Sequence, residues 1–228
     1  MNTDRAVWGI VGANLLTVGV AVLKDWGLVH LLWPFWIQSV VIGVFARRRM
    51  LALREFSTEN FRINDQAVAA TPETLRRTAN FFALHYGFFH FVYFVFLLAF
   101  TFTTDPAGMI AVTNESTGEV SMVHMGHVHP LDWLIFLGLG LGFRASHGAS
   151  HREHVENDLR RRPNLGTMMF LPYLRVLPMH LTIIGAVALG GSLGIWLFGL
   201  LKLAADVLMH KVEHRWLQSG LPKGFSGN

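Results

Sequence analysis

Long apolar runs alternate with clusters of arginine along this chain, and that alternation limits its folds more than any other feature. The stretch LLWPFWIQSVVIGVF runs straight into Arg47, Arg48 and Arg49. A membrane-crossing helix needs about 20 mostly apolar residues. Six stretches qualify: about Ala6 to Leu23, Leu28 to Ala46, Asn80 to Thr103, Leu131 to Ser150, Leu174 to Leu189 and Leu193 to His210. Only 15% of residues are charged, against about a quarter in a typical soluble domain. The first stretch lacks the basic leader and small-residue cleavage site of a signal peptide, so it reads as a retained span.

The arginines give the orientation. Arg47, Arg48, Arg49, Arg54, Arg62, Arg76 and Arg77 lie between spans two and three, and Arg152, Arg160, Arg161 and Arg162 between spans four and five. Residues 104–130, between spans three and four, contain no Lys or Arg. Basic loops stay in the cytoplasm. The sequence therefore predicts an all-α bundle of six membrane spans, with both termini cytoplasmic. The whole chain, 1–228, reads as one transmembrane domain. It has a cytoplasmic loop at 47–79, an external loop at 104–130 and a flexible tail at 216–228. Within the first loop, Thr71-Pro72-Glu73 reads as a helix start. Residues Met50 to Phe61 fit either an interfacial helix or a solvated linker. The net charge of +4 is too small to argue for nucleic acid, and lipid is the expected partner. An oligomer is compatible with the sequence.

Ionisable side chains inside a span are costly and tend to face a working cavity. Here they are concentrated. With the orientation above, His85 of span three, His147 and His151 of span four, and Asp206 and His210 of span six fall near the cytoplasmic side, with His90 and His180 deeper. His147 and His151 share a helix face, as do Asp206 and His210. His85 and His90 are five apart and do not share one, so His85 is the better candidate by depth. Two imidazoles at i and i+4 can hold one metal ion, and a third ligand from another helix completes a site with an open position. The expected ligands are His85, His147, His151, His180, His210 and Asp206. Asp206 could instead act as base or orient His210. There are no cysteines, so any metal must take His, carboxylate, Met or main-chain oxygen.

A second cluster lies in the external loop, MVHMGHVHP, with Met122, His124, Met125, His127 and His129. Mixed thioether and imidazole donors suit copper.

The stretches ALHYGFFHF, FRASHGAS, LPYLRVLPMHL and ADVLMHKVEH resemble an uncharacterised group of bacterial integral membrane proteins over spans three to six. The resemblance implies the architecture and draws attention to His85, Tyr86, Gly87, His147, His180, Asp206 and His210, but implies no reaction. It also implies an acidic residue in span two where this chain has Gln38.

These residues lead to a membrane-embedded metalloenzyme acting on a lipid-like or small membrane-soluble substrate. Zinc-dependent hydrolysis is favoured, with Asp206 and Tyr86 as catalytic residues. Intramembrane zinc hydrolases of the ceramidase and receptor type are similar in drawing histidines and an Asp from several helices. An iron- or copper-dependent oxidoreductase is the alternative, although this chain lacks the His-His pairs of membrane desaturases; haem between facing histidines fits less well than a small ion. A non-enzymatic metal transporter or metal-binding protein is the other class. The Gly148-Ala149-Ser150 string resembles the serine motif of rhomboid proteases but lies at the wrong end of its span.

Overall fold

A computed structural model describes residues 19, 21–24, 26–113, 117–189, 199–205 and 207. The described part is mostly helical. Four long helices dominate it: α1 (Val29–Ala52), α2 (Pro72–Thr103), α3 (Pro130–Arg161) and α4 (Leu165–Leu189). Two antiparallel ribbons join them: β1 (Arg62–Ile63) with β2 (Gln66–Ala67), and β3 (Met109–Thr113) with β4 (Val120–His124). Two of the helices, α1 and α2, are long and apolar enough to cross a membrane. Predicted spans two to five fall on α1 to α4. Most of span one lies outside the described residues, and span six is described at 199–205 and 207.

The helix ends follow local chemistry. The Thr71 hydroxyl accepts from the Thr74 amide at 3.1 Å, with Pro72 at the first helical position, so α2 begins where the sequence places it. His129 caps α3: its Nδ1 accepts from Leu131 N, while Asp132 Oδ2 accepts from His129 N at 2.7 Å. The Asn164 side chain accepts from Thr167 N at 3.1 Å and starts α4 nine residues ahead of the predicted Leu174.

Helix α1 packs against α2, α3 and α4, and α2 also meets α4. The contacts give the directions. Trp33 meets Trp133 near the start of both α1 and α3, and Arg49 meets Asp158 near the end of both, so α1 and α3 run parallel. Trp33 donates to Thr101 at 3.0 Å and Arg47 to Asn80 at 3.0 Å, so α2 runs antiparallel to α1. His85 with Tyr173 and Tyr93 with His180 set α4 parallel to α2. The alternation gathers the described arginine-bearing ends on one side of the bundle. The β3–β4 ribbon lies at the opposite end, against the start of α1.

The two connections differ from plain loops. Residues 53–71 contain no helix. They strap back over the α3–α4 turn, where Ser57 N donates to Pro163 O and Leu165 N to Ser57 O, both at 2.9 Å. Phe56 and Phe61 are buried there, which neither an interfacial helix nor a solvated linker would do. Asn64 and Asp65, at φ 50° and 60°, make the two-residue turn of the β1–β2 ribbon. Residues 104–130 fold into the β3–β4 hairpin. Its far end docks on α1, where Val29 N donates to Met125 O at 2.9 Å. That docking demands glycines: a Cβ on Gly27 or Gly126 would overlap the facing backbone, and Gly126 has φ 87°.

Candidate functional site: a His/Tyr seam and a separate His pair

Helix α2 carries a buried stripe that includes Phe82, Tyr86, His90, Tyr93, Leu97 and Thr101, at steps of three or four. The polar members of this stripe form the seam. His90 is buried, and its Nδ1 lies 2.8 Å from the Tyr86 carbonyl. A carbonyl only accepts, so Nδ1 carries a proton. His90 Nε2 faces Ser39 Oγ of α1 at 2.8 Å. Tyr86 OH donates to Ser39 O at 2.9 Å, and Trp36 Nε1 donates to His90 O at 2.9 Å. The Tyr86 ring stacks on His90 at 4.2 Å between centroids. Gly43 lets the two helices close at this level, because a Cβ there would overlap the Tyr86 ring edge.

Helix α4 completes the seam with two reciprocal pairs. His85 Nδ1 of α2 lies 2.9 Å from Tyr173 OH of α4, and Tyr93 OH of α2 lies 2.8 Å from His180 Nδ1 of α4. Ring contacts link these pairs to the buried centre, Tyr173 to Tyr86 at 5.3 Å and His90 to Tyr93 at 6.3 Å. His85 and His180 are exposed at the two ends, about 12 Å apart along α2 by helical rise. All three tyrosines of the chain are in this seam. Every side chain that carries its hydrogen bonds can both donate and accept, apart from the Trp36 indole.

His147 and His151 form a different group. Both rings lie against Phe45 of α1, at 6.0 and 5.2 Å, which confirms that they share a face of α3. His147 Nδ1 lies 3.0 Å from the Phe143 carbonyl, so that nitrogen donates. The single layer expected from the sequence therefore divides. His85, Tyr86 and His180 belong to the seam of α1, α2 and α4, whereas His147 and His151 face α1 from α3. Asp206 and His210 lie outside the described residues. Among the described residues, no three of His, Asp and Glu come together as a metal set.

In the external cluster the residues also part company. Met125 is buried against the start of α1, and His129 caps α3. Met122 and His127 are exposed, and His124 is half-buried. His30 stacks on Trp26 at 5.6 Å and meets Asp132 at 3.4 Å, tying the starts of α1 and α3 together.

The sequence reading missed Ser39, Tyr93 and Tyr173, and set His90 aside. The signal was present in α2, where Tyr86, His90 and Tyr93 follow i, i+4, i+7. Spacing alone could not find Ser39 or Tyr173, because each meets α2 only across a tertiary contact.

The described residues thus form apolar helices around a buried polar seam, and two of those helices are long and apolar enough to cross a membrane. The chain matches, over residues 1–221, the family described as "Family of unknown function (DUF6498)", and it belongs to that family. No curated protein and no solved structure matches it.

Proposed function

We propose that this chain is a six-span protein of the bacterial cytoplasmic membrane, with both termini in the cytoplasm, and that it is a metal-dependent enzyme. Its metal site lies at the arginine end and takes His147 and His151 of α3 together with Asp206 and His210 of the last apolar stretch. Two observations support the membrane topology. The described arginine-bearing ends collect on one side of the bundle. Helices α2 and α3 also turn large apolar side chains outward, among them Leu84, Phe88 and Phe91 on α2 and Leu134, Leu137 and Leu141 on α3. Faces of that extent suit lipid better than water.

The observation that carries the metal reading is the shared direction of the two α3 histidines, with His147 Nδ1 held by a main-chain carbonyl. Metal-binding histidines usually donate their second N–H to such an acceptor, which fixes the ring and raises its basicity. Two imidazoles and a carboxylate suit zinc, with iron or copper as substitutes. Bound zinc would supply a water of lowered pKa for hydrolysis of a lipid-like ester or amide. The chain's own part is to hold the two rings on one helix face and to bring the last stretch beside α1. Lys202 Nζ lies 5.8 Å from the Phe35 ring centroid, a contact between the described part of that stretch and α1 that supports this reading.

Metal analysis of the detergent-purified protein tests this reading. It expects stoichiometric zinc, lost in both His147→Ala and His210→Ala. Wild-type protein without stoichiometric metal would sink it.

The seam favours a second reading, a membrane carrier. Its hydrogen-bonded groups sit in the middle of α2, where a soluble ion or proton would need them. Metal-dependent uptake into proteoliposomes, abolished in His90→Phe and retained in His147→Ala, would decide for the carrier.

A further inference from the structure

The β3–β4 hairpin assembles a donor set that the order of residues hides. Its register pairs Met109 with His124 and Ala111 with Met122. Directly opposed residues of an antiparallel pair lie on the same face, about 4.5–5.5 Å apart at Cβ. Residues two apart on a strand also share a face, about 7 Å apart. Met109, His124 and Met122 therefore stand on one face. The other face holds Val123, buried in the core, with Ile110 and Val112 packed against that core. The donor face is the outward one, and Met122 is 49% exposed.

The backbone under this set is held on both strands. Met109 N donates to Asp105 Oδ1 at 2.8 Å, and Asp105 N donates to Met109 O at 3.0 Å. Across the ladder, Met125 N donates to Gly108 O at 2.8 Å. The long, unbranched methionine side chains can then bring both sulfurs to the imidazole without moving the main chain.

The geometry points to a binding site for a soft monovalent cation, Cu(I) or Ag(I), made by the Met109 and Met122 thioethers and the His124 imidazole. Two neutral sulfurs and one nitrogen match soft ions and disfavour hard divalent ones. Zinc would need thiolate, carboxylate or more imidazoles. Met109 is the unforeseen member: it lies outside MVHMGHVHP and arrives through strand pairing. Met125 and His129, which that motif suggested, are committed to the core and to the α3 cap. The ion binds without redox change, and the site is separate from the proposed zinc site.

Titration of the full chain in nanodiscs with Ag(I), and with Cu(I) against a chromophoric chelator under reducing conditions, tests the site. One ion per chain is expected. Met109→Leu, Met122→Leu and His124→Gln should each weaken binding by roughly tenfold to a hundredfold, the scale of losing even an outer-shell partner of a metal site. Met→Leu preserves volume and apolarity, so the hairpin should still form. His127→Gln should leave binding unchanged. Methionine methyl resonances should shift on Ag(I) addition at two of the nine methionines, Met109 and Met122. No binding by the wild type would overturn the site, and so would affinity that falls in His127→Gln but not in Met109→Leu.

Discussion

Ser39 has one hydroxyl proton and two acceptors within reach, Trp36 O at 2.9 Å and His90 Nε2 at 2.8 Å. Because His90 Nδ1 is committed to the Tyr86 carbonyl, a neutral His90 needs the Ser39 proton at Nε2. Ser39→Ala removes the only described donor to that nitrogen and should destabilise the bundle by roughly 1–2 kcal/mol. Tyr86→Phe should cost less, because the Ser39 carbonyl that loses the phenol lies within α1. Gly43→Ala should exceed both, since the added methyl meets the Tyr86 ring and forces α1 and α2 apart. Denaturant unfolding in mixed micelles should rank the three as Gly43→Ala, Ser39→Ala, Tyr86→Phe; a Ser39→Ala variant as stable as wild type would contradict the role given to His90. The seam also makes a prediction about metal. His85→Ala should leave zinc content unchanged, because His85 of α2 bonds Tyr173 of α4, whereas His147 lies against Phe45 of α1. At this scale the sequence showed which residue types were out of place in a span. It could not show their partners, since depth along a helix says nothing of which neighbour its face meets.

Hydropathy found α1 to α4 but placed only half of their ends to within a turn, the starts of α1 and α3 and the ends of α2 and α4; at the arginine end all four helices run on past the apolar stretch. The exceptions have local causes. Helix α4 starts early because the Asn164 cap and the apolar run Leu165–Leu171 precede Pro172. The strands of residues 104–130 were legible in MIAVT and VSMVH, whose inward and outward residues alternate. They were overlooked because a segment between two spans reads as a loop. The strap at 53–71 was not legible, since Phe56 and Phe61 bury only once tertiary packing adds them to the core. Caps give the element-scale test. His129→Ala removes the α3 cap and should cost about 1 kcal/mol. It should leave the His147–His151 face intact, measured as unchanged zinc content with a lowered unfolding midpoint. Loss of zinc at full stability would mean that His129 is a ligand and not a cap.

Across the molecule, the arginines do more than mark a side. Arg49 makes a two-pronged pair with Asp158, at 2.8 and 2.9 Å, and the Asp158 side chain is 6% exposed. Removing one partner of a buried pair costs roughly 3–5 kcal/mol, so Asp158→Ala should unlink the arginine ends of α1 and α3 and lower stability more than any surface arginine change. Arg47 bonds Asn80 on α2, and Arg48 lies over Phe45. The end that sequence assigns to the cytoplasm is thus also where these helices are tied together. The hairpin end is tied by Gly27 against Gly126 and by His30 against Asp132. Everything proposed about function depends on these two ends facing opposite sides of a membrane. The chain has no cysteine, so single cysteines report without background. Glu59→Cys in the strap and Thr117→Cys at the hairpin tip are both exposed. Labelling of intact spheroplasts with a membrane-impermeant maleimide should modify the cysteine at 117 and reach the one at 59 only after permeabilisation; equal labelling of both before permeabilisation, or the reverse pattern, would contradict the account.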